Sequence, residues 1–270
     1  MLNTLREKPL ITALFLIVLY AAGLVVPSFF IDIDPNQHGI DSINAAIGEW
    51  KYQLITVTVL IAIVSILGWW SDIGFRPINK GGIKFLLPPF LYALLLLFAS
   101  ASSSNIDMAW FLGFVSPAQL ISFTLVMLAV GFTEETVFRG ILYHGIETRV
   151  TPLMTLLISA GIFGIFHYVN LLLNAPFDTT TYQVLHAMAA GFMYASLRLR
   201  IAAIWPVMLF HGFWDFTIFM SQNLLPNIED AAVTSSFSLT KALSMMLLPT
   251  LYGAFVYWRW SKGKKGYIKS

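Results

Sequence analysis

Long apolar runs recur along the whole chain, and they restrict its fold more than any other feature. The hydrocarbon core of a bilayer, about 30 Å thick, is crossed by a helix of roughly 20 apolar residues. The first run of nearly that length, Leu10–Phe30, is followed by seven others. Backbone polar groups find no water in lipid, and a helix satisfies them internally. The sequence therefore predicts an all-α, polytopic membrane protein.

Composition supports a single membrane domain spanning residues 1–270. Of the residues, 57% are apolar and only 11% are charged, whereas a soluble domain carries about 25% charged residues. No stretch is polar and long enough to fold outside the membrane, and the absence of cysteine excludes disulfides and a thiol nucleophile. The eight predicted spans are Leu10–Phe30, Leu54–Trp70, Phe85–Ser100, Leu120–Tyr143, Pro152–Leu173, Tyr182–Leu197, Ala202–Met220 and Ala242–Trp258.

Basic residues alternate between the two sides that these spans define. Most of the 16 Lys and Arg residues lie at the N-terminus, after the second, fourth and sixth spans, and in the tail; Arg76, Arg149 and Arg198 are examples. Connections rich in Lys and Arg stay in the cytoplasm, so both termini are predicted to be cytoplasmic. We expect a multi-pass protein of a prokaryotic cell membrane, with the bilayer as a partner and no nucleic acid.

Four charged residues fall inside the predicted spans, namely Glu134, Glu135, Arg139 and Asp215. Each costs about 2.5–3.5 kcal/mol at mid-helix on insertion scales, so some function must require them. Glu135 and Arg139 are four residues apart, a spacing that predicts an ion pair. Glu134 is expected to point about 100° away from Glu135. On their own these three residues also fit an interhelical polar clamp.

The fifth and seventh predicted spans each contribute a histidine. Phe163 and His167 share one helix face, as do His211 and Asp215. A rise of about 1.5 Å per residue places Glu134, His167 and His211 roughly 14–23 Å from the predicted cytoplasmic ends of their helices. At this common depth the three side chains can meet in one polar cavity.

Carboxylates and imidazoles at one depth suit hydrolysis of an amide. The attacking water must lose a proton, the developing oxyanion needs hydrogen-bond donors, and the leaving nitrogen needs a proton. Other intramembrane chemistries are less well represented. The chain lacks H-E-x-x-H, a G-x-S-x-G nucleophile elbow and a pair of intramembrane aspartates.

The motifs resemble those of the CAAX protease and bacteriocin-processing family, also called the Abi family. They are Glu134-Glu135-x-x-x-Arg139, Phe163-x-x-x-His167 and His211-x-x-x-Asp215, in the family's order. The resemblance covers roughly residues 120–220, the predicted catalytic core region. The family pattern allows either Asn or Asp at position 215.

The resemblance implies an eight-helix intramembrane protease with a water-filled cavity open to the cytoplasm. Glu134 and His167 would activate the attacking water. His211 and Asp215 would stabilise the oxyanion, with Glu135 and Arg139 in support. Both a metal-dependent and a metal-free mechanism are associated with the family, so a divalent metal such as zinc remains open as a cofactor. The substrate's prenylation remains open as well.

We therefore expect an endopeptidase that hydrolyses a peptide bond in a membrane-associated protein or peptide. A different class of function is a non-proteolytic bacteriocin-immunity or scaffold protein of the same fold. A proton-coupled transporter using Glu134 and Glu135 as a relay is a third alternative. The chain shows no internal repeat of the kind common in transporters, which disfavours the third alternative.

Overall fold

The computed structural model describes residues 2–28, 47–48, 50–103, 115–223 and 238–267. Within these ranges every regular element is helical, and no strand is present. The long helices there are α1 (Pro9–Ser28), α2 (Trp50–Leu67), α3 (Leu87–Ser103), α4 (Pro117–Glu134), α5 (Pro152–Phe166), α6 (Phe177–Ile201), α7 (Trp205–Asn223) and α8 (Leu239–Tyr267). The prediction of an all-α chain is confirmed for the described residues.

Each predicted span overlaps one of these helices, although Phe30, the predicted end of the first span, lies outside the described residues. In the described part of the chain, four segments are long and apolar enough to cross a membrane by length and composition: Pro9–Val26, Lys80–Ser102, Pro117–Glu147 and Pro152–Leu173. Tyr52–Leu67 is apolar but shorter. Helices α6, α7 and α8 carry more polar residues than these apolar segments. The count of eight membrane crossings and the cytoplasmic termini stay predictions.

Local chemistry explains where several helices begin and end. Ser116 caps α4 in a reciprocal capping box with Gln119, and Pro117 starts the helix. Helix α3 begins at Leu87, directly after the short helical turns Lys80–Ile83 and Lys84–Leu86. This start places Pro88 and Pro89 in its first turn, where a helix tolerates proline.

The boundary between α6 and α7 differs from the prediction. Ala202, the predicted first residue of the seventh span, adopts a left-handed conformation with φ of 63° and ends α6. Its N–H donates to the carbonyl of Arg198, a common way to close a helix. Helix α7 therefore begins at Trp205. A hydropathy pattern does not show this change, because Ala202 and Ala203 are as apolar as the helix that follows.

Helix α6 is the central helix of the described bundle. It is flanked by α5 and α8, and its segment from Ala189 to Arg198 is buried without interruption. Gly164 of α5 lies so close to α6 that an added Cβ would stand 2.8 Å from the Val184 carbonyl. Gly191 of α6 lies equally close to α5, where its Cβ would stand 3.0 Å from Phe163 Cδ1. These glycines bring the helix that carries His167 against the centre of the bundle.

A second close contact joins α4 and α7. A Cβ on Gly131 would stand 2.6 Å from the nitrogen of Gly212, and one on Gly212 would stand 2.7 Å from the carbonyl oxygen of Met127. Glu134 and Glu135 come one turn after Gly131, and His211 directly precedes Gly212. The glycine contact therefore fixes the first and third motifs next to each other.

Large apolar side chains cover the outside of the bundle. Val18 of α1, Phe98 of α3 and Ile121 of α4 are each more than 60% exposed, and similar residues lie on α2, α5 and α8. Contiguous apolar surface of this extent is unfavourable in water and suits a lipid environment. The charged motif residues lie on the opposite, inward faces.

Candidate active site

The first motif lies where the long fourth helix changes its winding. Helix α4 ends at Glu134, continues as a π-helix over Glu135–Leu142, and returns to α-helix at Tyr143–Glu147. All eight residues of the π segment are buried. A π-helix displaces carbonyl groups from the usual i→i+4 ladder, and Ser159 of α5 donates a hydrogen bond of 3.0 Å to the Phe138 carbonyl. Such segments are frequent at functional sites.

The ion pair expected from the spacing of Glu135 and Arg139 is present. Arg139 Nη1 donates to Glu135 Oε1 at 2.8 Å, and both side chains are completely buried. The guanidinium also lies over the Phe163 ring, 3.8 Å from its centroid. Gly191 leaves room for it, since a Cβ there would stand 2.7 Å from Arg139 Nη2. The arginine thus joins α4, α5 and α6.

His211 contacts three carboxylates through its two ring nitrogens. Nδ1 lies 2.8 Å from Glu135 Oε1, while Nε2 lies 3.7 Å from Glu134 Oε2 and 3.5 Å from Asp215 Oδ2. A carboxylate that already binds Arg139 can only accept, so Nδ1–H donates to Glu135. Glu134 and Glu135 diverge along the helix, yet both reach His211 because the two nitrogens lie on different sides of one ring.

His167 of the second motif has a defined tautomer when it is neutral. It begins the 3₁₀ turn His167–Leu173, and its Nδ1 lies 2.9 Å from the Phe163 carbonyl. A carbonyl only accepts, so Nδ1 carries the proton and Nε2 is left as an acceptor. The His167 ring meets the Phe163 ring edge-on at 4.8 Å, and His211 meets the same ring at 5.9 Å.

The structure brings five of the six predicted site residues into direct contact and places the sixth, His167, against the same phenyl ring as His211. The exposure of the five contacting side chains divides them into two groups. Glu135, Arg139 and His211 are buried, whereas the side chains of Glu134 and Asp215 are 14% and 29% exposed. Glu134 and Asp215 are therefore the carboxylates that water or a substrate can approach.

Sequence reasoning missed two tyrosines at this site. The Tyr194 ring of α6 packs 4.8 Å from the His211 ring. Tyr20, on α1, lies beside Glu134 and Thr133. The Tyr20 ring also stacks on Phe166, with centroids 5.2 Å apart and the planes nearly parallel. Both tyrosines belong to helices without a charged motif, so only the packing of the helices brings them to the site.

The donor set does not form a metal-binding cluster. Among the described residues, no three His, Asp or Glu side chains are arranged to hold a metal ion. The Nδ1 atoms of His211 and His167 are bound to Glu135 and to a backbone carbonyl, so only their Nε2 atoms, with Glu134 and Asp215, are left as metal donors. These donors are not arranged as a metal site requires in the described part of the chain, and we derive no step through a metal.

A cavity of about 370 Å³ lies next to the motif residues, between α3, α6, α7 and α8. Tyr194 forms part of its wall, together with Trp214, which directly precedes Asp215. The His186 ring stacks on Trp214 at 5.8 Å. Most of the remaining wall is apolar, including Leu96, Leu248 and a pair of prolines on α3.

Comparison with known proteins agrees with the motifs. No curated protein and no solved structure matches the chain. A family model, that of the type II CAAX prenyl endopeptidase Rce1-like proteins, matches residues 116–217. This segment runs from the N-cap of α4 into α7 and contains all six predicted site residues. Over this segment the chain is similar to the Rce1-like type II CAAX prenyl endopeptidases, a protease family, and the resemblance inferred from the motifs is confirmed.

Proposed function

We propose that the protein is an intramembrane endopeptidase, which hydrolyses a peptide bond in a membrane-associated protein or peptide. One observation carries this proposal: an accessible carboxylate, Glu134, lies beside a histidine held by a fully buried carboxylate–guanidinium pair. Burying Glu135 and Arg139 is costly, and fixing the orientation of His211 accounts for that cost.

In the proposed reaction Glu134 acts as general base. It takes one proton from a water molecule, while the unprotonated Nε2 of His167 accepts a hydrogen bond from the same water and orients it. The water oxygen bonds to the carbonyl carbon of the substrate, and the carbonyl π electrons move to its oxygen. A tetrahedral oxyanion results.

His211 acts on that oxyanion, with Asp215 beside it. A protonated Asp215 carboxyl would donate to the oxyanion, whereas an ionised one would act only by holding His211. When doubly protonated, His211 donates Nδ1–H to Glu135 and offers Nε2–H toward the space bordered by Glu134 and Asp215. As the oxyanion collapses, the C–N bond breaks and Glu134 returns its proton to the leaving nitrogen. Glu135 and Arg139 touch no reacting atom in this scheme, and they act as positioning residues.

The apolar cavity supports a membrane-associated substrate. Its wall includes Tyr194, which contacts His211, and Trp214, which directly precedes Asp215. An apolar portion of a substrate placed there would leave lipid without entering water, at little cost in free energy. A polar, soluble peptide would gain nothing from such a wall.

The experiment that tests this function compares membrane proteomes of cells expressing wild type or Glu134→Gln. Glutamine has the same shape as glutamate but is a poor proton acceptor, so fragments produced by the protein should vanish in the variant while it accumulates normally. His144→Ala, at a histidine that contacts Glu147 and Trp69, is the matched control. If Glu134→Gln leaves every fragment in place and retains full biological activity, the immunity or scaffold function replaces the protease.

A further inference from the structure

A side chain of the first helix, that of Tyr20, lies beside the motif residues. Tyr20 is only 6% exposed and neighbours Glu134 and Thr133. Helix α1 packs against the π segment and against the 3₁₀ turn that begins at His167. The segment that matches the family model begins at residue 116, so this contact comes from outside it.

Hydrogen-bond accounting assigns the Tyr20 proton. Thr133 Oγ1 donates its only proton to the Val130 carbonyl at 2.9 Å, and it accepts from Gln53 Nε2 at 3.0 Å. Tyr20 has one proton to donate, and a buried hydroxyl is normally hydrogen-bonded. The acceptor near it that remains is the Glu134 carboxyl group, which has an oxygen that accepts in either protonation state.

The ring of Tyr20 is held independently of its hydroxyl. It stacks on Phe166, which precedes His167, and it belongs to the apolar cluster that includes Phe138 and Phe163. The ring therefore has a packing role that phenylalanine can fill. The hydroxyl is the part that packing does not explain.

We propose that Tyr20 is a positioning residue for catalysis: its hydroxyl donates to Glu134 and holds the carboxylate in the orientation from which it takes a proton from water. Gln53 of α2 supports this arrangement through Thr133. The first two helices thus complete an active site whose recognisable motifs lie elsewhere. These motifs lie on α4 and the π segment after it, on α5 and the 3₁₀ turn after it, and on α7. This inference rests on the proposed protease function.

Tyr20→Phe tests the inference, because it removes the hydroxyl and keeps the stacked ring. Cleavage of a substrate peptide by the full-length protein in lipid nanodiscs is measured as kcat and KM. We expect kcat to fall about tenfold, since a misoriented base loses part of its effect, while KM changes less than twofold. Tyr182→Phe is the matched control: Tyr182 is also a buried tyrosine, and its hydroxyl contacts the Ser238 backbone at another place in the bundle.

The outcomes separate the inference from the function on which it rests. If wild type cleaves and Glu134→Gln does not, but Tyr20→Phe keeps the wild-type kcat, the positioning role is wrong and the protease stands. The positioning role is also wrong if Tyr20→Phe and Tyr182→Phe lower kcat equally and lose equal thermal stability, because the fall in kcat is then a general packing effect. If wild type itself cleaves nothing in either the proteome or the nanodisc assay, the proposed protease function is wrong, and the inference that rests on it is wrong as well.

Discussion

The long helical segment that ends at Glu147 carries two carboxylate–histidine contacts in very different surroundings. At Glu135 the partner is His211 of α7, at 2.8 Å, with side-chain exposures of 0% and 5%. Less than three turns later, His144 and Glu147 of the same segment lie 3.4 Å apart with exposures of 19% and 35%. The residue types are the same, but only the first contact joins separate helices.

This difference shows which charged residues require a functional explanation. A partly exposed pair such as His144 and Glu147 costs little to form and contributes about 0–1 kcal/mol to stability. A buried pair must overcome the loss of hydration of both charges, and breaking it by removing one partner costs about 3–5 kcal/mol. The inner contact therefore requires a functional explanation, whereas the outer contact needs none beyond its position near the predicted cytoplasmic interface.

The largest effect is expected when the inner ion pair is broken. Glu135→Ala leaves Arg139 charged and without its carboxylate in a fully buried position, so we expect the protein to lose about 3–5 kcal/mol of stability. Thermal unfolding in detergent micelles, followed by the loss of soluble monomer, measures this. Glu135→Gln, which keeps a carbonyl acceptor for Arg139, should lose less. Equal stability of Glu135→Ala and wild type would show that the pair is not structurally required.

Somewhat smaller effects are expected from the residues that would act on water. Glu134→Gln and His167→Ala should each lower kcat at least about 10²-fold, or roughly 2.7 kcal/mol of barrier, because loss of a general base commonly costs 10²–10⁴-fold. Both variants should still accumulate in the membrane, since neither Glu134 nor His167 belongs to the buried Glu135–Arg139 ion pair. Kinetics on a substrate identified from the vanished fragments provide the measurement. Wild-type rates in both variants would contradict the mechanism.

Sequence reasoning succeeded where spacing along one helix decides the geometry. Three correct predictions depend on local periodicity. They are the Glu135–Arg139 pair, the shared faces of Phe163 with His167 and of His211 with Asp215, and the overlap of each predicted span with a helix.

Other features depend on contacts between helices and have no local signal. The π segment preserves the Glu135–Arg139 contact of a normal helix, so the sequence pattern gives no sign of it. That Glu134 faces His211 follows from the Gly131–Gly212 contact between α4 and α7. Tyr20 is one aromatic residue within an apolar run, and its role depends on where α1 lies in the bundle.

An intermediate effect is expected at Asp215, which shares His211 Nε2 with Glu134. Asp215→Asn keeps an oxygen acceptor near the ring and adds a donor, and Asn is the other residue that the family pattern allows. We expect activity within about tenfold of wild type, some 1.4 kcal/mol of barrier, whereas Asp215→Ala should lose more. Steady-state kinetics of the two variants distinguish these outcomes. If Asn is as damaging as Ala, the carboxylate acts as an anion that orients His211, and a direct role at the oxyanion is wrong.

The smallest effect is expected at the outer contact, and it tests the comparison itself. His144 lies after the π segment, pairs with Glu147 and meets the Trp69 ring edge-on at 5.3 Å. None of these contacts leads to His211 or Glu134. His144→Ala removes the pair and should change stability by no more than about 1 kcal/mol, and kcat/KM by less than twofold. Glu147→Gln is the companion variant, since it abolishes the charge and keeps the shape of the side chain. A tenfold loss of activity in both variants, at unchanged stability, would mean that the outer pair takes part in catalysis and that burial alone does not separate the two contacts.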